Sequence, residues 1–154
     1  MRLYDYGLRI ADGLAIEIFQ SKIQFPLLIN VSNHPSVQWT GDQWSAACDR
    51  FGTVYDIAHP DIDPGASTET IQEMTGDVVQ RIRQMDPDAV HVMGEQTFCF
   101  ALIVQLQQAG YRCMASTTER RVTEQDDGRR TYQFQFVQFR DYPQFTDVIP
   151  SSGL

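Results

Sequence analysis

The chain has 154 residues, 42% hydrophobic and 21% charged, enough apolar material for one globular domain with its own core. A formal charge of -8 and a pI near 4.7 exclude general binding to long DNA or RNA, which needs basic surface to displace counterions. A small anionic ligand stays compatible, because a local group of arginines works inside an acidic protein. No stretch reaches membrane-spanning length and the start MRLYDYGLRIADG lacks a signal-peptide pattern, so a cytoplasmic protein with no membrane partner is expected. Cys48, Cys99 and Cys113 fall in predicted helix or strand with no C-x-x-C pairing, which reads as reduced core packing.

In chain order, residues 1–24 carry no legible element, although Leu14 to Phe19 fits an edge strand or a short helix. Phe25 to Val31, FPLLINV, is a continuous apolar run and reads as the first core strand. It gives way to Ser32-Asn33-His34-Pro35-Ser36, a loop, since Pro35 biases His34 away from helical geometry. Thr40 opens a helix with the capping-box pattern Thr40-x-x-Gln43; Trp44, Ala47, Cys48 and Phe51 form its apolar face and Gly52 closes it. Val54 to Ala58 is a second strand, followed by the two-proline loop His59 to Gly65. A helix from about Thr68 to Met85 turns Ile71, Met74, Val78, Ile82 and Met85 inward and breaks at Asp86-Pro87-Asp88.

Ala89 to Met93 is a third strand, and Gly94-Glu95-Gln96 turns into a helix over Phe98 to Ala109, capped by Thr97 and ended by Gly110. That helix is apolar on nearly every face for two turns, so burial on more than one side is expected. Cys113 to Ala115 is a short fourth strand leading into the polar cluster Ser116-Thr117-Thr118-Glu119-Arg120-Arg121. Val122 to Glu124 and Thr131 to Phe139 flank Asp127-Gly128, a hairpin turn signal. Alternation puts Tyr132, Phe134 and Phe136 on one side of the hairpin and Val137 and Phe139 on the other, and residues 143–154 read as a tail.

Assembled, this is an α/β domain with a mostly parallel sheet, because right-handed crossovers join successive strands, and a C-terminal β-hairpin. A strand order near 2-1-3-4 puts the switch point between the first and third core strands, where Asn33 and His34 face Gly94 and Glu95 across a crevice. The helix at Thr97 would aim free N–H groups and its positive dipole end there, suited to a phosphate. The loops on this rim supply the candidate ligand contacts: Ser32, Asn33, Ser36, His59, Gly94, Glu95, Gln96, Thr97, Ser116, Thr117, Thr118 and Arg121. Hydroxyls and arginines beside a strand end are donors for phosphate oxygens, although a solvated turn has the same composition.

Other readings stand beside this one. Gly94-Glu95-Gln96-Thr97 is neither a G-x-G-x-x-G nor a Walker loop, so no dinucleotide cofactor and no nucleoside triphosphatase is indicated. His34 and His59 each precede a proline at a strand end, as a general base, a metal ligand or a hydrogen-bonded loop histidine would. A metal-dependent hydrolase would draw on His34, His59, Asp61, Asp63 and Glu95, whose spacing matches no standard motif. His91 alternates with Val90 and Val92 inside a strand and reads as a satisfied core histidine, and Trp39 as packing or a base-stacking platform.

Four segments together, LLINVSNHPS, YDIAHPDIDP, AVHVMGEQTFCFALIVQLQQAGYRCMASTTER and YQFQFVQFRDY, resemble the small CRISPR-associated proteins of the CARF-like type, over about residues 27 to 142. The resemblance implies a three-layer Rossmann-like fold and a homodimer. It also implies binding of a cyclic oligoadenylate second messenger at the strand-end rim. Some such proteins are ring nucleases, which cut the messenger without metal or cofactor through attack by a ribose 2′-hydroxyl. On that basis Ser32, Asn33 and His34 match the first ligand loop, Gly94 to Thr97 the second and Thr117 to Arg121 the third. His34 would orient the 2′-hydroxyl or protonate the leaving oxygen, and Arg120 would stabilise charge on phosphorus. A non-catalytic nucleotide sensor or a protein-interaction domain fits the same residues.

Overall fold

The computed structural model describes residues 8–10, 26–124 and 130–145. Their elements run β1 (Leu8–Ile10), β2 (Leu27–Ser32), α1 (Gly41–Phe51), β3 (Thr53–Asp56), α2 (Thr68–Met85), β4 (Ala89–Met93), α3 (Gln96–Gln108), β5 (Cys113–Glu124) and β6 (Arg130–Asp141). They form one sheet in the order β1-β3-β2-β4-β5-β6. Neighbours from β1 to β5 pair in parallel, and β6 returns antiparallel on β5. The four core strands thus stand in the expected 2-1-3-4 arrangement, with the switch point between β2 and β4. Strand β1 was not anticipated; the stretch Leu14 to Phe19 and the Asp127-Gly128 turn lie outside the described residues.

Local chemistry accounts for most boundaries. The Thr40 hydroxyl accepts the Gln43 N–H at 3.3 Å to start α1, and Gly52 ends it at φ 70°, where a side chain would be strained. Helix α2 is capped by Ser67 and stopped by Asp86 in the left-handed region, just before Pro87. Strand β2 sits between β3 and β4 with all six residues buried, as its unbroken apolar run requires.

The sheet is covered on both faces. On one, Ile29, Val31, Val90 and Val92 pack against Ile71, Val78 and Ile82 of α2 and against Phe98, Leu102 and Leu106 of α3. On the other, Leu28, Val54, Ala89 and Met114 meet Ala47 and Phe51 of α1, with Trp39, Phe136 and Phe139. Ile82 has no exposed surface, so truncation to alanine would cost about 3 kcal/mol in lost burial and an unfilled cavity. Burial also pushes the thiols up, Cys113 to about 12 and Cys99 to about 11, the latter with help from the nearby Glu95 charge, so both remain protonated.

Four expectations are corrected. Helix α3 begins at Gln96, and its cap is Glu95 rather than Thr97. It is not buried all round: Phe100 is 67% exposed and Ile103 and Val104 are half-buried. Strand β5 does not stop at Ala115 but continues for 12 residues, so Ser116 to Arg121 is strand, not a terminal cluster. Its pairing slips between Thr117↔Gln138 and Thr118↔Phe136, which leaves Val137 as an extra residue in β6. That bulge shifts the alternation by one and brings Phe136 and Phe139 to the same face, with ring centroids 5.1 Å apart. Beyond it the β5–β6 pair extends as an arm exposed on both sides.

The first residues of the expected tail are docked. The Tyr142 hydroxyl donates to the Val92 carbonyl at 3.0 Å, Gln107 donates to the Pro143 carbonyl, and the Phe145 N–H donates to Gln107. Among the described residues no helix is long and apolar enough to cross a membrane.

Candidate functional site

Each of the four central strands places a polar residue on the α1 face at a matching level, and these four line up across the sheet. Register opposes Asn30 to Asp56 on one side and to His91 on the other. The Asn30 amide donates to Asp56 Oδ1 at 2.7 Å and its oxygen lies 2.7 Å from His91 Nδ1. His91 Nε2 lies 3.0 Å from Ser116 Oγ and accepts the Ser116 N–H at 3.1 Å. The tautomer follows from both ends: a carboxylate only accepts, so Asn30 presents its NH2 to Asp56 and its oxygen to Nδ1–H, while Nε2 must be the acceptor toward Ser116. His91 is 1% exposed, between the edges of Trp39 and Phe139 at 5.4 and 5.5 Å. Burial pulls its pKa down to about 4, against the Asp56 charge, which raises it, and with His34, which lowers it further. The reading of His91 as a satisfied buried histidine holds; its partners are Asn30, inside the apolar run LLINVS of β2, and Ser116 of β5.

The loop after β2 closes over this row. Trp39 Nε1, Asn30 Nδ2 and Ser32 Oγ all donate to the His34 carbonyl, at 3.1, 3.1 and 2.9 Å. Ser36 is buried and gives Asp56 both its N–H, at 3.0 Å, and its hydroxyl, at 2.8 Å. Ser32 and Ser36 therefore hold the loop together and have no free hydroxyl for a ligand, which corrects their assignment as contacts. Asn33 and His34 are exposed at the β2–β4 switch point, and the Asn33 N–H reaches the Met93 carbonyl at 3.3 Å. The switch point itself falls between β2 and β4 as expected.

The second loop differs from expectation in its chemistry. The Glu95 carboxylate accepts the Phe98 N–H at 2.8 Å, the Thr97 N–H at 3.1 Å and the Thr97 hydroxyl at 2.7 Å. The hydroxyl, then these amides, hold its carboxyl below the usual carboxylate range. The expected free N–H groups at the start of α3 are thus occupied by an internal anion, and a phosphate there would have to displace it. Gly94 has φ 148°, and a Cβ on it would strike the His59 ring, coming within 2.8 Å of Cδ2. His59 is wedged beneath that glycine, with Nδ1 on the Pro60 carbonyl at 2.9 Å and Nε2 buried without a partner. It packs edge-on to Phe98 rather than facing a ligand. Among the described residues no three His, Cys, Asp or Glu gather as a metal-binding group, so His34, His59, Asp61, Asp63 and Glu95 do not converge.

The expected third loop is a strand face. Ser116, Thr118, Arg120 and Val122 alternate to one side of β5, opposite Phe139, Phe136, Phe134 and Tyr132 of β6. Phe134 is 66% exposed, Tyr132 is half exposed, and the Arg120 guanidinium lies over the Tyr132 ring at 4.2 Å. Thr117 binds the Gln138 carbonyl and Arg121 pairs with Glu119, both away from that face. His34 and Arg120 are not brought together: Arg120 lies four residues beyond Ser116, about 13 Å out along the strand.

Two concave regions lie elsewhere, beside α3. One of about 1120 Å³ is bounded by Ile62, Ala66, Phe100 and Val104 and carries Asp63 and Glu95, an unfavourable lining for an anion. The other, about 460 Å³, lies between Phe100, Ile103, Tyr142 and Phe145. Gln96 borders both.

No curated protein and no solved structure matches the chain. A family model does match residues 26–140, from the start of β2 to the end of β6, and on that match the chain belongs to the uncharacterized protein MJ1673 family.

Proposed function

We propose that the chain binds a small anionic nucleotide, a cyclic oligoadenylate of a CRISPR antiviral defence system, on the face of β5–β6 that runs outward from the switch-point rim. The observation that carries this reading is the register of the arm, which sets Thr118 and Arg120 in one row beside the exposed rings of Phe134 and Tyr132. Phosphate oxygens take hydroxyl and guanidinium donors, and adenine stacks on aromatic faces and on guanidinium planes for about 1–3 kcal/mol per base. Asn33 and His34 are exposed on the loop after β2, two strands away from β5. The carboxylates of Asp63 and Glu95 argue against the α3 cavity as the phosphate site.

In its fuller form the reading is a CARF-like domain of three-layer Rossmann-like architecture, dimeric through the exposed apolar side of α3, that cleaves the ring without metal. Incubation with radiolabelled cyclic oligoadenylates of several ring sizes, followed by product separation, tests it. Retention of one ring size and formation of linear products is the expected result, and failure to bind any ring size sinks it. Tight binding with the ring intact after long incubation would instead favour a sensor. Sedimentation equilibrium checks the dimer, which a Phe100→Asp variant should dissociate.

A further inference from the structure

The polar row contains one group that a structural account leaves over. His91 is satisfied on both nitrogens without the Ser116 side chain, since Nδ1 faces Asn30 and Nε2 accepts the Ser116 backbone N–H. An alanine at 116 would keep both bonds. The hydroxyl nevertheless stands 3.0 Å from Nε2, and its other partner is the Met93 sulfur, a weak acceptor. Ser116 is also the member of the row at the carboxyl end of the parallel region of β5, half-buried where His91 and Asn30 are wholly covered.

We propose that Ser116 is a nucleophile, with His91 as its general base and Asn30 and Asp56 as positioning residues, acting on a phosphoester. The site is additional to the nucleotide-binding reading: here the protein's own hydroxyl attacks, not a hydroxyl of the ligand. The order Ser-His-Asn follows the logic of hydrolytic triads, in which the third residue fixes the tautomer and orientation of the ring and an asparagine serves as well as a carboxylate in some of them. Asp56 extends the control one step, because it determines which end of the Asn30 amide faces the ring. Trp39 and Phe139 pack against the imidazole in T-shaped contacts, and the ring is 1% exposed, so the base is shielded from bulk water. As Nε2 takes a proton the Ser116 N–H has to turn away from it, and the register shift that leaves Val137 of β6 unpaired, between Thr117 and Thr118, lies next to that peptide. Thr118, the next residue on this face of β5, adds a hydroxyl donor that suits a phosphoester oxygen.

In the reaction Ser116 Oγ bonds to phosphorus and its proton passes to His91 Nε2. The P–O bond to the leaving alcohol breaks, and that oxygen takes the proton from Nε2. Water then attacks the phosphoserine ester, giving its proton to Nε2, which returns it to Oγ as the phosphoryl group leaves.

A fluorophosphonate tests this without knowledge of the natural substrate, since Oγ displaces fluoride and the adduct persists. Intact-mass and peptide analysis of the full chain should show one phosphonyl group on Ser116. The Ser116→Ala protein should gain none, and Ser45→Ala, an exposed change on α1, should react like wild type. His91→Gln should slow labelling by about 100-fold and Asn30→Ala by about 10-fold, with folding checked by circular dichroism. Folded wild-type protein that takes up no label at Ser116 overturns the proposal with no variant needed. So does labelling of Ser116 that runs as fast in folded His91→Gln or Asn30→Ala as in wild type.

Discussion

Acid should destabilise this protein through His91, and the size of the effect follows from its surroundings. In the unfolded chain the imidazole titrates near 6.5, and in the folded chain burial lowers this to about 4. Below 6.5 the unfolded state therefore binds a proton that the folded state refuses until about 4. Stability is full above 6.5 and declines as the pH falls through that window. At about 1.4 kcal/mol per tenfold change in proton affinity, the gap amounts to about 3 kcal/mol, a large part of the stability of a domain this size. Asp56, which favours the charged ring, and His34, which opposes it, are already included in the lowered value. Urea unfolding at about pH 7 and about pH 4, followed by circular dichroism, measures the difference. His91→Gln cannot titrate and should lose about 3 kcal/mol less than wild type between the two conditions. Equal losses in the two proteins would refute the argument that a neutral, buried His91 ties the four strands together.

Gly94→Ala should lower stability by about 2 kcal/mol, because φ 148° and the His59 ring both oppose a Cβ, and Gly94→Ala with His59→Ala should recover part of the loss in urea titrations. Glu95→Ala should lower the melting temperature while strengthening the binding of inorganic phosphate at the start of α3, since it frees the Thr97 and Phe98 N–H groups; unchanged phosphate affinity by calorimetry would contradict this. Arg120→Ala and Phe134→Ala should each weaken cyclic oligoadenylate binding by about tenfold with little change in stability, as exposed side chains on a strand edge would; equal affinities of variant and wild type would contradict the assigned face.

The parallel core was legible because each of its signals is local. Apolar runs gave β2 and β4, the capping residues gave α1, the apolar stripe and the Asp86-Pro87-Asp88 break gave α2, and the crossover rule together with the strand order gave the switch point. The site was less so, for two reasons. A carboxylate at 95 reads as a loop residue until the chain curls back to cap its own helix, so the anion cradle expected at Thr97 was already filled. A bulge at Val137 cannot be seen in an alternating sequence, and missing it put Phe139 on the wrong face and hid the aromatic row beside Arg120. The Asp56–Asn30–His91–Ser116 row had a signal in the sequence: Asn30 and His91 each interrupt an apolar strand, at positions that parallel register brings side by side.

The central claim, that an anionic nucleotide lies along β5–β6 from the switch-point rim, is tested most directly by following backbone amide resonances while a cyclic oligoadenylate is titrated into the protein. Shifts concentrated at Asn33, His34, residues 116–120 and residues 132–136 are the predicted result. Shifts confined to the α3 cavity, around Ile62 to Ala66 and Glu95 to Val104, or none with any ring size, would contradict it.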